Sequence, residues 1–261
     1  MLWSSATEAP WAALWLRYDA ILASVQKEEL ASLDDWYLTE FPAVLRSREP
    51  EPHVTQKELK KLMEWKLKKG KWRPQLMKFV TNLSEEEVKQ ASSEALKKLR
   101  SGGNLRVATE ALCVLKGVGP ATASAMLAAY DGSVPFMADE ALEAIAGIIG
   151  PRKYTLAHFL NFAEQLREKA KWLNEQRAED KDNGSLGEWT AQRVQLCLYA
   201  EAHDQRDSAT APTEDAVPSK RKRSKEAISP SAVKDDGGKV EKSSEENDKP
   251  LRRSERKRQR L

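Results

Sequence analysis

The chain has 261 residues, of which 43 are Lys or Arg and 40 are Asp or Glu, so its formal net charge is only +3. Basic clusters alternate with acidic runs, and local charge therefore indicates partners better than this sum does. Two cysteines, Cys113 and Cys197, are too few for a disulfide framework or a four-cysteine metal or iron–sulfur site. No apolar run approaches the roughly 20 residues of a membrane span, so we expect no membrane partner.

The first 70 residues predict three helices, because their apolar residues recur at spacings of three and four. One amphipathic helix covers about residues 11–25, and a second, short one precedes Pro42. After a proline-broken linker, TQKE at residues 55–58 is a capping box that opens a helix reaching about Lys69, where Gly70 ends it. The eight tryptophans, all within the first 190 or so residues, predict a substantial core in this part of the chain.

Six more helices follow, between about residues 85 and 203. SEEE at residues 84–87 is a second capping box, and SLGE at 185–188 is a third. The predicted helices cover about 85–102, 105–115, 120–130, 139–149, 155–177 and 186–203. Since nothing repeats at a fixed period, the sequence predicts an all-α, multi-helix globule of about eight helices and not a solenoid.

The C-terminal segment has a different composition. No aromatic residue follows Tyr199, and Ser, Lys, Glu, Asp and Pro dominate. A sequence of this composition buries too little apolar area to offset the entropy lost when the chain is ordered. We therefore predict an all-α domain at 1–204 and a disordered tail at 205–261. The basic clusters PSKRKRSK (218–225) and RRSERKRQRL (252–261) favour nuclear localisation through the import machinery; the alternative is a solvated charged tail.

A short glycine turn joins two of the predicted helices. In LKGVGPATA, glycines at 117 and 119 permit backbone angles that a Cβ would block, and Pro120 fits a first helical position. Backbone N–H groups would then point outward at a helix N-terminus and bind a phosphate oxygen. The donors expected are those of Gly117, Gly119, Ala121 and Thr122. The alternative is a tight helical hairpin that binds no ligand.

This turn and an aspartate beyond it resemble a known family. LxGVGxxTA between apolar helices, with Asp139 twenty residues after Gly119, is similar to the helix-hairpin-helix, Gly/Pro-rich, Asp-containing superfamily of base-excision DNA glycosylases, over about residues 105–145. The resemblance implies an all-α pair of subdomains with double-stranded DNA and a flipped base between them. It also implies a hairpin that grips a DNA phosphate, formed by Lys116, Gly117, Val118, Gly119, Ala121 and Thr122.

The resemblance makes Asp139 the catalytic candidate. An ionised carboxylate beside the sugar stabilises the positive charge that develops when an N-glycosidic bond breaks, or orients the attacking water. Ala121 stands where strand-cutting members of the family have a Schiff-base lysine, so only base removal is expected. Glu140 and Glu143 depart from the family pattern and bring negative charge near a phosphate-binding surface. The alternative role for Asp139 is an ordinary helix N-cap.

A second group of candidate residues lies in EWKLKKGKWRPQ, residues 64–75. Cations interleave there with Trp65 and Trp72, and helical geometry cannot hide all of them. The segment therefore predicts contact with the DNA backbone and a tryptophan available for stacking; the alternative is a solvated helix end with buried rings. The predicted DNA-binding cations are Lys66, Lys68, Lys69, Lys71 and Arg73.

Two functional hypotheses follow. The first is a nuclear DNA-binding protein that resembles a monofunctional DNA glycosylase and uses Asp139. The second is a catalytically inactive DNA-binding or nuclear interaction protein on the same scaffold. We expect neither a metal nor another cofactor, because the three histidines are widely separated and no Walker-type loop is present.

Overall fold

The computed structural model describes residues 1–102, 104–179 and 187–204, all within one compact unit, Met1–Ala211. These residues form a 3₁₀ turn (Leu2–Ser4), thirteen α-helices and no β-strand. The predicted all-α class is thus confirmed, with more and shorter helices than the eight expected. The helices are α1 (Ala9–Trp15), α2 (Tyr18–Ser24), α3 (Leu30–Leu38), α4 (Glu40–Ser47), α5 (Gln56–Lys69), α6 (Pro74–Thr81), α7 (Glu85–Gly102), α8 (Leu105–Cys113), α9 (Pro120–Tyr130), α10 (Asp139–Ala144), α11 (Ala146–Ile149), α12 (Leu156–Glu179) and α13 (Ala191–His203).

Two helices organise the packing. Helix α13 packs against α1, α2, α10 and α12, while α5 packs against α3, α6, α7 and α9. Aromatic side chains fill the spaces between them, as the tryptophan content predicts. Trp11 meets Trp189 edge to face with ring centroids 6.4 Å apart, and Tyr37 stacks on Trp65 at 3.6 Å. The Tyr37 hydroxyl also donates to the Ala125 carbonyl (2.9 Å), which ties α3 to α9.

The first two capping boxes form as the sequence predicts. Thr55 accepts from the Glu58 N–H while Glu58 accepts from the Thr55 N–H, and the helix ends at Lys69 before Gly70. Ser84 and Glu87 exchange the same pair of bonds at the start of α7. Each box satisfies backbone donors that the first helical turn leaves unpaired.

Two N-terminal predictions are wrong in detail, and one helix was missed. The single helix expected at 11–25 is two, α1 and α2, because the chain leaves helical geometry at Arg17 (φ −108°, ψ 2°). Pro42 does not end a helix but lies in the first turn of α4, where its missing N–H costs no intrahelical bond. Helix α6 was not predicted at all, although Pro74 at its first position is a start signal.

Two later predictions also need correction. The helix expected at 139–149 breaks at Ile145 into α10 and α11. The SLGE box does not open the last helix: Glu188 precedes it, and the Thr190 hydroxyl caps it by accepting from the Arg193 N–H (3.2 Å). Residues 185 and 186 of that box, and the tail predicted at 205–261, lie outside the described residues. None of the helices described is long and apolar enough to cross a membrane.

Candidate functional site

A pocket of about 210 Å³ brings together the three groups of residues that the sequence singles out. It lies where the end of α5, the α8–α9 turn and the start of α10 meet. Its walls include both polar and apolar side chains. The lining residues are Lys66, Leu67, Lys69, Gly70, Lys71, Arg73, Leu76, Gly117, Gly119, Pro120, Ala121, Thr122, Phe136, Met137, Ala138, Asp139, Glu140 and Tyr154.

Position 117 requires a glycine for two structural reasons. Its φ of +87° is the left-handed region that side chains disfavour. A Cβ built there would also lie 2.6 Å from the Phe79 Cβ, which is closer than two carbon atoms can approach. The turn is closed by the Val118 N–H, which donates to the Leu115 carbonyl at 3.0 Å. Helix α6, which carries Phe79, therefore supports the turn from behind.

Gly119 differs from the expectation. Its backbone is extended (φ −107°, ψ −177°), which any residue adopts, and nothing lies within 4 Å of a Cβ built on it. Thr122 also departs from its predicted role, because its N–H donates to the Gly119 carbonyl (2.9 Å) and does not point outward. The N–H groups of Gly117, Gly119 and Ala121 have no partner among the described residues. Three of the four predicted donors thus have no internal acceptor, and all three residues line the pocket.

Asp139 is the first residue of α10 and not its cap. The N-cap is Ala138, and no side chain caps this helix, which removes the capping alternative. The carboxylate instead accepts a hydrogen bond from the Tyr154 hydroxyl (2.6 Å) and lies 3.4 Å from an Arg152 nitrogen. Arg152 also lies 3.3 Å from Glu143. It therefore neutralises part of the negative charge by which this segment departs from the family pattern. Glu140 lines the pocket directly.

Tyr154 joins the carboxylate to the basic segment. Burial, together with its hydrogen bond to Asp139, raises the pKa of its hydroxyl, so the group stays a neutral donor. The Arg73 guanidinium lies 5.6 Å from the centre of the same ring, a cation–π distance. Tyr154 therefore fixes the orientation of Asp139 and holds Arg73 at the pocket.

Lys66 is the cation most affected by the pocket. Burial, and then the charge of Arg73, lower the pKa of its amine to about 8, although Asp139 acts in the opposite direction. Its Nζ has no hydrogen-bond or ion-pair partner among the described residues, and the same is true of Lys71. Both are cations that a bound anion would stabilise.

Two neighbouring lysines differ from their predicted exposure. The Lys69 side chain is only 1% exposed, and its Nζ donates to Asp34 (2.5 Å) and to the Tyr18 hydroxyl (2.6 Å). The Trp65 indole N–H donates a further hydrogen bond to the Asp34 carboxylate at 2.7 Å. Lys69 is therefore not part of the basic surface expected from the sequence. Lys68 pairs with Glu29 and lies 3.5 Å from Glu64, and it does not line the pocket.

Lys116 and Val118 lie at the edge of the turn and not in the pocket wall. The Lys116 ammonium is 5.1 Å from the centre of the Phe79 ring, and Lys116 is exposed. Val118 is 5% exposed and packs into the core, so only its backbone is near the surface. Of the six hairpin residues expected to meet phosphate, these two contribute least to the pocket.

Sequence reasoning missed three residues that shape this site: Tyr154, Arg152 and Phe79. Phe79 had a detectable signal, since Pro74 and the apolar spacing after it mark a helix start. Tyr154 and Arg152 follow Gly150-Pro151 in polar text, and nothing local shows that they reach Asp139.

Comparison with models of known protein families, with curated proteins and with solved structures finds no match to this chain.

Proposed function

We propose that the chain binds DNA and resembles a monofunctional base-excision DNA glycosylase, with the pocket at the α8–α9 turn as its active site. The observation that carries this proposal is the convergence of open backbone donors, unpaired cations and Asp139 in one pocket. These groups come from segments up to 73 residues apart, from Lys66 to Asp139. A tight hairpin with no ligand would not need them together.

The turn and the basic segment are the phosphate-binding part of this proposal. The N–H groups of Gly117, Gly119 and Ala121 precede or open α9, where the helix dipole also favours an anion. Lys66, Lys71 and Arg73 add positive charge to the lining of the same pocket. Together they suit the backbone of DNA, whose binding is dominated by such contacts.

Asp139 is the proposed catalytic residue. When water adds at C1′ of the nucleotide and the C1′–N bond breaks, the base leaves with a proton and the sugar passes through a cationic state. A carboxylate held beside C1′ stabilises that state or orients the water. The Tyr154 hydrogen bond limits the positions that the carboxylate can take. With Ala121 at the turn, no lysine there forms a Schiff base, and strand cleavage by that route is not part of the proposal.

The second candidate is a DNA-binding protein without catalysis. It is favoured by the contacts of Asp139, whose two oxygens already face Tyr154 and Arg152, and by Glu140 in the pocket wall. In that case the same turn and cations bind DNA, and Asp139 holds the α10 start against Tyr154. Two subdomains with DNA between them, nuclear localisation and import through the basic clusters at 218–225 and 252–261 also remain proposals.

The test is release of bases from a panel of duplexes that contain uracil, alkylated or oxidised bases, read as alkali-labile strand breaks. Asp139→Asn keeps the shape and an acceptor for Tyr154 but removes the charge. On the active substrate we expect base release to fall roughly a hundredfold, which corresponds to about 2.7 kcal/mol of transition-state stabilisation. Duplex binding, measured by fluorescence anisotropy, should persist.

Glu143→Gln is the matched control. It removes a second carboxylate that faces Arg152 but does not line the pocket, so base release should stay at the parent rate. An active substrate on which Asp139→Asn equals the parent would contradict the catalytic role. Intact DNA binding with no release from any duplex would favour the second candidate, and a parent protein that binds no DNA would contradict both.

A further inference from the structure

Trp72 is unusual among the tryptophans of this chain. All eight lie in the described residues, and Trp72 is the most exposed of them, at 54%. Trp65, seven residues earlier, is fully buried. An indole left in water forgoes a large part of the stabilisation that burial would give it, and its ring is available to contact a partner outside the fold.

The position of Trp72 relates it to the pocket. It lies in the short connection between α5 and α6, and the residues on both sides of it, Lys71 and Arg73, line the pocket. Tyr154, the other aromatic side chain that is exposed by more than a third, lines the same pocket at 37% exposure. Trp72 does not itself line the pocket, but its backbone lies next to it, between two cationic residues that do.

This combination matches one kind of ligand. Cations at phosphate-binding positions with an aromatic face between them are typical of surfaces that bind unpaired nucleotides, because every base has a face that stacks. A fully paired duplex keeps its bases stacked on each other and offers the indole no such face. A protein partner would bury Trp72 as well, but it would not explain the open N–H donors and unpaired cations of the adjoining pocket.

We propose that Trp72 stacks on an unpaired nucleobase at the mouth of the pocket, so that DNA with an unpaired nucleotide is bound in preference to a fully paired duplex. This rests on the proposed DNA-binding function and names its substrate class. Lys71 and Arg73 contact the phosphates that flank the unpaired nucleotide, and Trp72 holds its base.

The experiment compares three labelled DNAs of one sequence by fluorescence anisotropy with the full chain: a paired duplex, the same duplex with one bulged adenine, and the single strand. Trp72→Ala should weaken binding of the bulged duplex and of the single strand by about 5- to 150-fold, the range for one stacked base. Binding of the paired duplex should be unchanged. Trp72→Phe keeps an aromatic face and should retain most of the affinity.

Leu16→Ala is the matched control, because Leu16 is also a large exposed apolar residue (72%) but, unlike Trp72, has no neighbour in sequence that lines this pocket. It should change none of the three affinities. Tryptophan emission gives a second measurement that does not depend on an alanine variant folding. Bulged DNA should quench the parent, and Trp72→Phe should lose that quenching.

The outcomes are distinct. Loss confined to DNA with an unpaired nucleotide supports the inference. Equal loss on all three DNAs, or no loss on any, overturns it while leaving the proposed DNA binding in place. A parent protein that binds none of the three overturns both proposals.

Discussion

The pocket and the buried network of Lys69, Asp34, Tyr18 and Trp65 both include residues of helix α5, but they differ in how their charged groups are paired. In the network, Lys69 and Asp34 are both 1% exposed, and Tyr18 and Trp65 complete the carboxylate's hydrogen bonds. In the pocket, Lys66 and Lys71 form no ion pair with the described residues, although the charge of Asp139 acts on Lys66 from farther away. Lys66 and Lys69 are only three residues apart on the same helix.

This difference separates charge that is paired within the fold from charge that is available to a ligand. A buried ion pair whose hydrogen bonds are all formed has no free donor or acceptor for a ligand. Its main effect is to fix how α2, α3 and α5 pack. Cations and backbone N–H donors that have no internal partner can form ion pairs and hydrogen bonds with an anion that binds in the pocket. Lysine-rich sequence therefore has two meanings here, and only the fold distinguishes them.

The largest effect should come from breaking the network. Lys69→Met leaves the Asp34 carboxylate buried without its cation, which costs about 3–5 kcal/mol in free energy of unfolding. Lys66→Met is the matched variant, because it removes a cation from the same helix that has no acidic partner, and it should cost no comparable stability. Urea unfolding at neutral pH measures both. Equal losses for the two lysines would mean that the comparison is wrong.

The next effect separates the two glycines of the turn. Gly117→Ala forces a side chain into a left-handed conformation and against Phe79, at a cost of about 2–3 kcal/mol in stability. Gly119→Ala meets neither obstacle and should leave stability unchanged. If Gly119 is where a phosphate approaches, its variant loses DNA affinity and nothing else. Thermal unfolding and anisotropy on the same two proteins test this pair; a stable Gly117→Ala would contradict the structural requirement.

The smallest effect concerns pH and sharpens the contrast between the two lysines. Because the pKa of Lys66 is lowered to about 8, its amine is charged below that pH and loses the proton above it. A bound phosphate favours the charged form, so affinity for DNA should fall as pH rises through 8, by at most tenfold per pH unit for one proton. Lys66→Met should bind more weakly at pH 7 and show a flatter profile between pH 7 and 9. A parent whose affinity is constant over that range would rule out a phosphate contact by Lys66.

The sequence predicted the features whose signals are local. Two capping boxes, the exact span of α9 after Pro120 and the start of α10 at Asp139 all follow from short patterns of residue types. The break after Trp15 and the cap at Thr190 were missed, since bends within an apolar periodicity depend on which neighbours the helices meet.

The site was predictable as a set of segments but not as an arrangement. Nothing in EWKLKKGKW separates Lys66 from Lys69, because the difference depends on Asp34, more than thirty residues away. The contact between Tyr154 and Asp139 likewise requires α10, α11 and the following turn to fold back together. Glycine has two roles in GVG, and only the backbone angle of Gly117 shows which one is conformational.

Helix α13 packs against the N-terminal helices of the chain. It packs on the 3₁₀ turn, α1 and α2; the Trp189 indole just before it donates to Glu8 (2.7 Å), and Glu201 within it accepts from the Leu2 N–H (2.5 Å). The ribosome synthesises these partners nearly two hundred residues apart, so the apolar face around Trp11 stays uncovered until α13 has been made. Folding of this unit is therefore expected to finish late, and a chain that stops before α13 should be a substrate for chaperones and proteases.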